Sequence, residues 1–396
     1  MAASKSIADI VGVARTAIGT ARKGTLRDMD AVELLKPVLG AAIERSGRTG
    51  SDFDDLIVGE VWQGGGDLAR YAAVDLGLTG LPGMAVNRQC ASGLVAIAMG
   101  AGQIAAGMSR AALAGGAESL STAPVSRKRR AFASGKSPED YDEPWFSLSH
   151  RPTPEAPALD MSITVAHNCA VRYGITREDQ DAWALRSQQR AIKAVDAGSF
   201  VDEIVPIEVP QADGTVIRFA EDEHPRRDAS MAALAGLKVL HPEIEGFTVT
   251  AGNSSGINDA AAAVALVRPG DATDPLASVL SWAQVGTPPK DTGSGPITAI
   301  PKALELAGHA LADVALFEIN EAFAAQAVAC TRELGLDEEK VNVYGSGISL
   351  GHPVAASGAR MVTSAIYELR RRGGGLGVLS LCAGGGMGVT MVIEVG

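Results

Sequence analysis

Residues 93–107, Gly-Leu-Val-Ala-Ile-Ala-Met-Gly-Ala-Gly-Gln-Ile-Ala-Ala-Gly, are apolar at nearly every position. A helix of that composition has no polar face to offer water, so it is expected to be buried all round. Strand-like segments flank it at 84–86 and 111–114, and 56–61 reads as another strand. From Asp9-Ile10-Val11-Gly12-Val13 to about Ser119, short apolar strands alternate with helical stretches, the pattern of a parallel sheet with crossover helices. Aromatics make up 4% of a chain that is 46% hydrophobic and holds 46 glycines, so the core must be built from Ala, Val, Leu and Ile with close helix–sheet approaches. That profile suits a large α/β enzyme rather than a β-sandwich or a disordered scaffold. At 396 residues the chain is long enough for two large domains.

Composition shifts over 121–160, with Ser121, Pro124, a basic run at 127–130 and prolines at 138, 144, 152, 154 and 157. This reads as an insertion over the surface. Helical periodicity returns at 176–197, opening with a capping box of Thr176 and Asp179, and 211–229 reads as irregular. A second α/β half is expected from near Ser278, ending in a strand pair, 377–381 and 389–395, around a glycine-rich turn at 383–388. The halves echo each other: Ala91-Ser92-Gly93 and Ala356-Ser357-Gly358 each open a helix, and each helix is followed by a strand with Ala-Gly-Gly, at 114–116 and 383–385. Duplication of one α/β unit follows, with a site between the copies. The expected division is 1–120 for the N-terminal half, 121–245 for an inserted loop domain, 246–270 for a return to the N-terminal half and 271–396 for the C-terminal half.

A net charge of −11 argues against nucleic-acid or membrane-surface binding, which needs a positive footprint. The four cysteines, Cys90, Cys169, Cys330 and Cys382, lie far apart without a C-x-x-C pair, which points to free thiols and no metal site. No apolar run reaches membrane-spanning length. The first seven residues hold no hydrophobic signal core, so the expected location is the cytoplasm.

Cys90 sits between the strand-like 84–86 and the apolar helix. A lone cysteine is more often a small core residue, but a thiol at a helix N-terminus meets the positive end of the macrodipole, which should lower its pKa, and free N–H groups able to bind an oxyanion. His352, in Gly351-His352-Pro353, is the matching base, with Pro353 expected at the first helical position. His150, His224, His241 and His309 read as surface, and His167 as helical. Cys382 opens Cys-Ala-Gly-Gly-Gly at a strand end, where consecutive glycines let backbone N–H groups approach a substrate. A phosphate-cradling role is disfavoured because a strand, not a helix, follows. Asn320-Glu321, after a strand at 314–319, reads in isolation as a helix N-cap.

Together these residues resemble a known family. Asn87-Arg88-Gln89-Cys90-Ala91-Ser92-Gly93, Gly115-Gly116-Ala117-Glu118-Ser119, Thr250-Ala251-Gly252-Asn253-Ser254-Ser255-Gly256, Asn320-Glu321-Ala322-Phe323-Ala324, Gly351-His352-Pro353 and Cys382-Ala383-Gly384-Gly385-Gly386 are similar, in order, to the signature blocks of thiolases. The likeness runs from Arg15-Thr16 to the last strand. It implies two duplicated α/β halves in a five-layered α-β-α-β-α arrangement with an inserted loop domain, assembled as a homodimer or homotetramer. It implies an acyl-CoA C-acyltransferase that condenses or thiolyses 3-ketoacyl-CoA by a ping-pong mechanism through an acylated Cys90, as in fatty acid metabolism and β-oxidation. His352 would activate Cys90, and Cys382 would move the α-carbon proton. Asn320 would hold a water beside the enolate, and the N–H groups of Cys90 and Gly384 would bind the oxyanion. Arg226 and Ser255 match positions that contact coenzyme A, and Met161 and Phe323 complete the expected substrate-binding set. Coenzyme A enters as substrate; no metal or prosthetic group is implied.

The chain departs from the family pattern at Asp160-Met161-Ser162, where His-Met-Gly is usual, at Tyr344-Gly345-Ser346-Gly347, where Asn-Gly-Gly-Ala is usual, and at Val354-Ala355, which replaces Leu-Gly. The basic run 127–130 reads as a solvated loop or an oligomer contact before it reads as a phosphate attractor. A decarboxylating ketosynthase is disfavoured by the second cysteine paired with Asn-Glu-Ala-Phe. A non-catalytic CoA- or lipid-binding relative would be expected to lose Cys90, His352 or Cys382, and an NAD-binding protein would need a G-x-G-x-x-G.

Overall fold

A computed structural model of the chain describes residues 6–142 and 148–396; Pro144 and the first five residues, on which part of the surface-loop and leader readings fell, lie outside them. The N-terminal half runs β1 (Ala8–Arg15), β2 (Gly19–Thr20), α1 (Ala31–Arg45), β3 (Asp55–Gly59), α2 (Leu68–Asp75), β4 (Gly83–Val86), α3 (Ser92–Ala105) and β5 (Ala111–Glu118). After the surface stretch come a π-helical turn (Ser162–His167), α4 (Asn168–Tyr173), α5 (Arg177–Asp196), the hairpin β6 (Ile207–Pro210) and β7 (Val216–Phe219), and α6 (Met231–Ala235). β8 (Asn258–Val267) returns to the first sheet. The C-terminal half is β9 (Ala277–Gly286), α7 (Gly295–Ala307), β10 (Val314–Ile319), α8 (Ala324–Glu333), α9 (Ser357–Arg371), β11 (Gly375–Ala383) and β12 (Met387–Val395).

The strands lie in the order β4-β3-β5-β8-β1 and β9-β12-β11-β10, with β2 beside β8. Among the described residues, the two sets pair only where Ala8, Asp9 and Ile10 meet Val279, Ser278 and Ala277. Each half follows one plan. β3 is parallel to β4 and β5, and β8 closes antiparallel on β5. Likewise β10 is parallel to β11 and touches Val341 in parallel, and β12 closes antiparallel on β11. The Ala-Ser-Gly echo therefore marks a duplication, since Ser92 opens α3 and Ser357 opens α9. The Ala-Gly-Gly echo falls inside β5 but straddles the end of β11.

Side-chain alternation along the strands separates the layers. Leu56 and Val58 enter one core with Leu34, Leu35 and Leu39 of α1, whereas Ile57 enters another with Leu94 of α3 and Met361 of α9. A third core lies between the C-terminal strands and α7, α8 and α5. The order is α1/α2, sheet, α3/α9, sheet, α7/α8, the five layers expected. α3 and α9 meet through glycine: a Cβ on Gly93 would stand 2.5 Å from Ala355 O, and one on Gly358 would stand 2.5 Å from Leu94 N.

Several local expectations are corrected. α3 is buried from Ser92 to Ala98, but Met99 is exposed and its last turns emerge at the surface. β3 stops at Gly59, not at 61. The stretch 211–229 is not wholly irregular, because β7 pairs with β6 through Val216–Phe219. Helical structure begins at Ser162, ahead of the predicted 176, where the Thr176–Asp179 capping box does open α5. The run 127–130 is an exposed loop, tied back where Arg130 pairs with Asp142 at 3.1 Å.

Candidate active site

Cys90 stands in a tight elbow between β4 and α3. Gln89 adopts φ +49°, a left-handed conformation uncommon outside glycine. The Ser92 hydroxyl holds the elbow, donating to Gln89 O at 2.6 Å and accepting from Arg88 N–H at 2.8 Å. Backbone N–H groups of Gly384 and of Cys90 itself act to lower the pKa of the thiol, and Cys90 is partly exposed. They do not bring it below the ordinary thiol value, as its place near the helix start led us to expect. Burial dominates and pushes it up to about 11, with the Glu118 carboxylate adding to the rise.

Cys382 is fully buried near the end of β11. Burial raises its thiol well above the usual range, and the neighbouring Cys90 sulfur adds to that. The glycine turn that follows has φ +93° at Gly385 and +85° at Gly386, values that favour glycine. It brings Gly384 to the Cys90 elbow, within 3.5 Å of the Gln89 side chain for a Cβ placed there.

Asn320 follows β10 and takes its register from β11, donating its N–H to Ser380 O at 2.9 Å. It does not cap a helix, because α8 begins at Ala324 behind Phe323. Its amide Nδ2 lies 3.5 Å from His352 Nε2, and its Oδ1 is buried without a protein partner. Glu321 fixes this corner by accepting from Trp183 Nε1, Ser187 Oγ and Asn342 Nδ2 at 2.9, 2.6 and 3.1 Å.

His352 is not at a helix start. Pro353 lies in the turn ahead of α9, and its carbonyl accepts from the N–H groups of Ala356 and Ser357. The imidazole is held at three points. Its backbone N–H donates to Asn258 Oδ1 at 2.9 Å, Nδ1 meets Ser357 Oγ at 2.6 Å, and Nε2 faces Asn320. Burial, with the Arg360 charge, lowers its pKa to about 4, so the ring is a neutral base. Glu118 reaches the same loop, accepting from Ala355 N–H at 3.1 Å while Trp62 N–H and Gln63 Nε2 bind its other oxygen. Burial holds its carboxyl up at about 7.

Met161 and Phe323 both pack against a small buried cluster of Val165, Ala322 and Cys382. Ser255 adjoins it, donating its N–H to Ala322 O at 3.0 Å. Arg226 stands apart on an exposed rim, in a cleft of about 460 Å³ shared with Gln188, Lys193 and Arg227. Its loop is anchored by Asp222, which pairs with buried Arg15 at 2.8 and 2.9 Å. His224 of that loop is not a surface residue. It is half-buried against Gly256, and burial lowers its pKa to about 4.

Sequence reasoning missed Asn258 and the Ser357 hydroxyl as supports of His352. Asn258 gives no signal without the fold, while Ser357 lay inside the Ala-Ser-Gly echo, read only as a helix start. Among the described residues no group of three His, Cys, Asp or Glu side chains is placed to hold a metal ion, and no helix is long and apolar enough to cross a membrane.

Residues 8–269 match the thiolase N-terminal domain and residues 273–395 the thiolase C-terminal domain. The chain is 42% identical to an Escherichia coli acetyl-CoA acetyltransferase, over 97% of this chain and 98% of that one. It is also 42% identical to a Bacillus subtilis 3-ketoacyl-CoA thiolase, over 98% of each. The structure of human mitochondrial 3-ketoacyl-CoA thiolase in complex with CoA superposes with a TM-score of 0.88 at 37% identity, covering 98% of both chains. With both domains matched and relatives aligned over nearly their whole length, the chain belongs to the thiolase family of acyltransferases.

Proposed function

We propose that the chain makes and breaks the carbon–carbon bond of 3-ketoacyl-CoA through an acyl-enzyme on Cys90. The observation that carries this reading is the placing of Gly384 at the Cys90 elbow, where its N–H acts on the thiol, two residues from a second thiol at Cys382, with neutral His352 facing Asn320 at the end of β10.

In thiolysis the Cys90 sulfur attacks the 3-keto carbon as its proton passes to His352 Nε2. The oxyanion is held by the N–H groups of Cys90 and Gly384. Collapse breaks the bond between the α- and β-carbons, and the departing enolate takes its proton from the Cys382 thiol, whose raised pKa keeps it protonated. Asn320, with its unpartnered Oδ1, holds a water that with His352 stabilises the enolate. Coenzyme A then attacks the acyl group, its thiol proton returning to Cys382, and Cys90 leaves with the proton stored on His352. Condensation is the reverse sequence, and neither direction calls on a metal or prosthetic group.

Coenzyme A lies against the 121–245 segment, read as an inserted loop domain between 1–120 and 246–270 and ahead of the half at 271–396. Arg226 serves the nucleotide end and Ser255 the pantetheine, with Met161 and Phe323 walling the acyl end. We read the protein as a cytoplasmic homodimer or homotetramer, which light scattering of the purified chain decides.

The deciding experiment is thiolysis of a 3-ketoacyl-CoA panel with free CoA, alongside Cys90→Ala. Turnover abolished by that change, with an acyl adduct mapped to Cys90, supports the reading. Turnover that survives it, or none on any substrate, overturns it.

A further inference from the structure

The departure Asp160-Met161-Ser162 acquires a partner in the fold. Asp160 Oδ1 accepts from the N–H and hydroxyl of Ser162, at 3.0 and 2.6 Å, at the start of the π-helical turn. Asp160 Oδ2 meets Nε2 of His241 at 2.8 Å, and the other ring nitrogen of His241 meets Glu243 Oε1, also at 2.8 Å. A neutral imidazole has one N–H, so two carboxylates at this distance require the doubly protonated ring. Phe247 completes the assembly, edge-on to His241 and stacked on His167 of the π-helical turn, with centroids 5.0 Å apart in each case. Among the described residues, the titratable groups facing His241 are therefore Asp160, Glu243 on its own segment, and His167 across the Phe247 ring.

The turn that Asp160 starts carries Val165, which clusters with Cys382 and Ala322, and Met161, which packs against that cluster as Phe323 does. Its widened hydrogen bonding, with Asn168 N–H reaching back to Ile163 O, is the kind of irregular helix that recurs at functional sites. We propose that the Asp160–His241–Glu243 bridge determines acyl selectivity, by holding Met161 against the Val165–Ala322–Cys382 cluster so that the site takes short, unbranched 3-ketoacyl groups. This rests on the reading that Met161 and Phe323 wall the acyl end.

The bridge is solvent-linked, with 25% of the His241 side chain and 35% of the Asp160 side chain exposed. Its carboxylate neighbours raise the His241 pKa above the ordinary imidazole value. The ion pairs are thus present below that pKa and lost as pH rises through it. Above it one carboxylate loses its donor and the grip on Met161 loosens.

The test is the ratio of kcat/KM for a long or 2-methyl-branched 3-ketoacyl-CoA to that for acetoacetyl-CoA, measured from about pH 6 to about pH 9. In the unaltered enzyme the ratio rises with pH. His241→Ala raises it about tenfold at all pH values, the scale of one or two methylenes in an apolar pocket. His241→Arg, whose charge persists, keeps the low ratio and removes its pH dependence. A ratio that stays fixed while both activities fall together in His241→Ala would reduce the bridge to a structural role and overturn the proposal. Absence of all turnover in the unaltered enzyme would instead overturn the thiolysis reading beneath it.

Discussion

The Ser357 hydroxyl decides which nitrogen of His352 carries the proton. It stands 2.9 Å from the carbonyl oxygen of Pro353 and 2.6 Å from His352 Nδ1. A carbonyl has no proton to give, so the single hydroxyl proton goes there, and Nδ1 supplies the other. Nε2 is left with its lone pair on the Asn320 side, fixed as the base. Ser357→Ala frees the tautomer and is expected to lower kcat roughly ten- to hundredfold with little change in KM. Ser357→Thr, which keeps the hydroxyl, should retain most activity. Steady-state thiolysis of both variants checks this, and an unchanged kcat in Ser357→Ala would remove Ser357 from the mechanism.

Cys90 and His352 are both neutral at rest. The thiol titrates at about 11 and the imidazole at about 4. With the thiol raised, thiolate accumulates only as pH climbs toward about 11, so alkylation of Cys90 by iodoacetamide should keep accelerating beyond about pH 9. With the imidazole lowered, the base survives acidification down to about pH 4. Glu118 contributes to the Cys90 rise, so Glu118→Gln should speed alkylation at fixed pH. Mass spectrometry of the Cys90 peptide reads both alkylation effects, and a rate that levels off near about pH 7 would refute a thiol held up by burial.

In the proposed scheme Cys382 gives up its proton in the carbon–carbon step and recovers it from coenzyme A, whereas acylation of Cys90 by acetyl-CoA and its reversal leave Cys382 protonated, with His352 passing the proton between Cys90 and the CoA sulfur. Cys382→Ala should cut thiolysis of 3-ketoacyl-CoA by about two to four orders of magnitude. Exchange of labelled CoA into acetyl-CoA, which needs only acylation of Cys90, should persist within about tenfold. Equal loss of both reactions would show that Cys382 shapes the Cys90 pocket and does not move the proton.

Gly116 is required by a close approach, since a Cβ there would overlap the carbonyl of Ala355, three residues beyond His352. Neither backbone can yield without shifting β5 or the His352 loop. Gly116→Ala is expected to cost about 3 kcal/mol or more and to lower the melting temperature accordingly. Gly40, inside α1 with nothing within 4 Å of a Cβ, is the control. Gly40→Ala should stabilise by about 0.5–1 kcal/mol.

Local signals in the chain sufficed for much of this. A short apolar run located β10 to the residue, Thr176 and Asp179 started α5, and the Ala-Ser-Gly echo foretold the duplicated halves. Ordered motif blocks named the cysteines, His352 and Asn320. What escaped depends on chain-distant neighbours. The thiol pKa follows from burial and Glu118, not from the helix end that the sequence displays. Asn258 and Ser357 support His352 through a turn whose path is set by Pro353 carbonyl bonding. The Asp160–His241 bridge spans 81 positions, so no window of sequence contains it.

The reciprocal glycine contact of α3 with α9 has a consequence for the chain as it is made. Cys90 belongs to the first sheet, whereas His352, Asn320, Cys382 and Gly384 all arrive with the second. A growing polypeptide that has emerged only through β8 carries the proposed nucleophile with neither the proposed proton acceptor nor the complete pair of proposed oxyanion donors. On that proposal, thioesters in its surroundings meet an inert sulfur until the last strand pair has closed. Synthesis order thus acts as a safety catch, and the capacity for acyl transfer appears only in finished molecules.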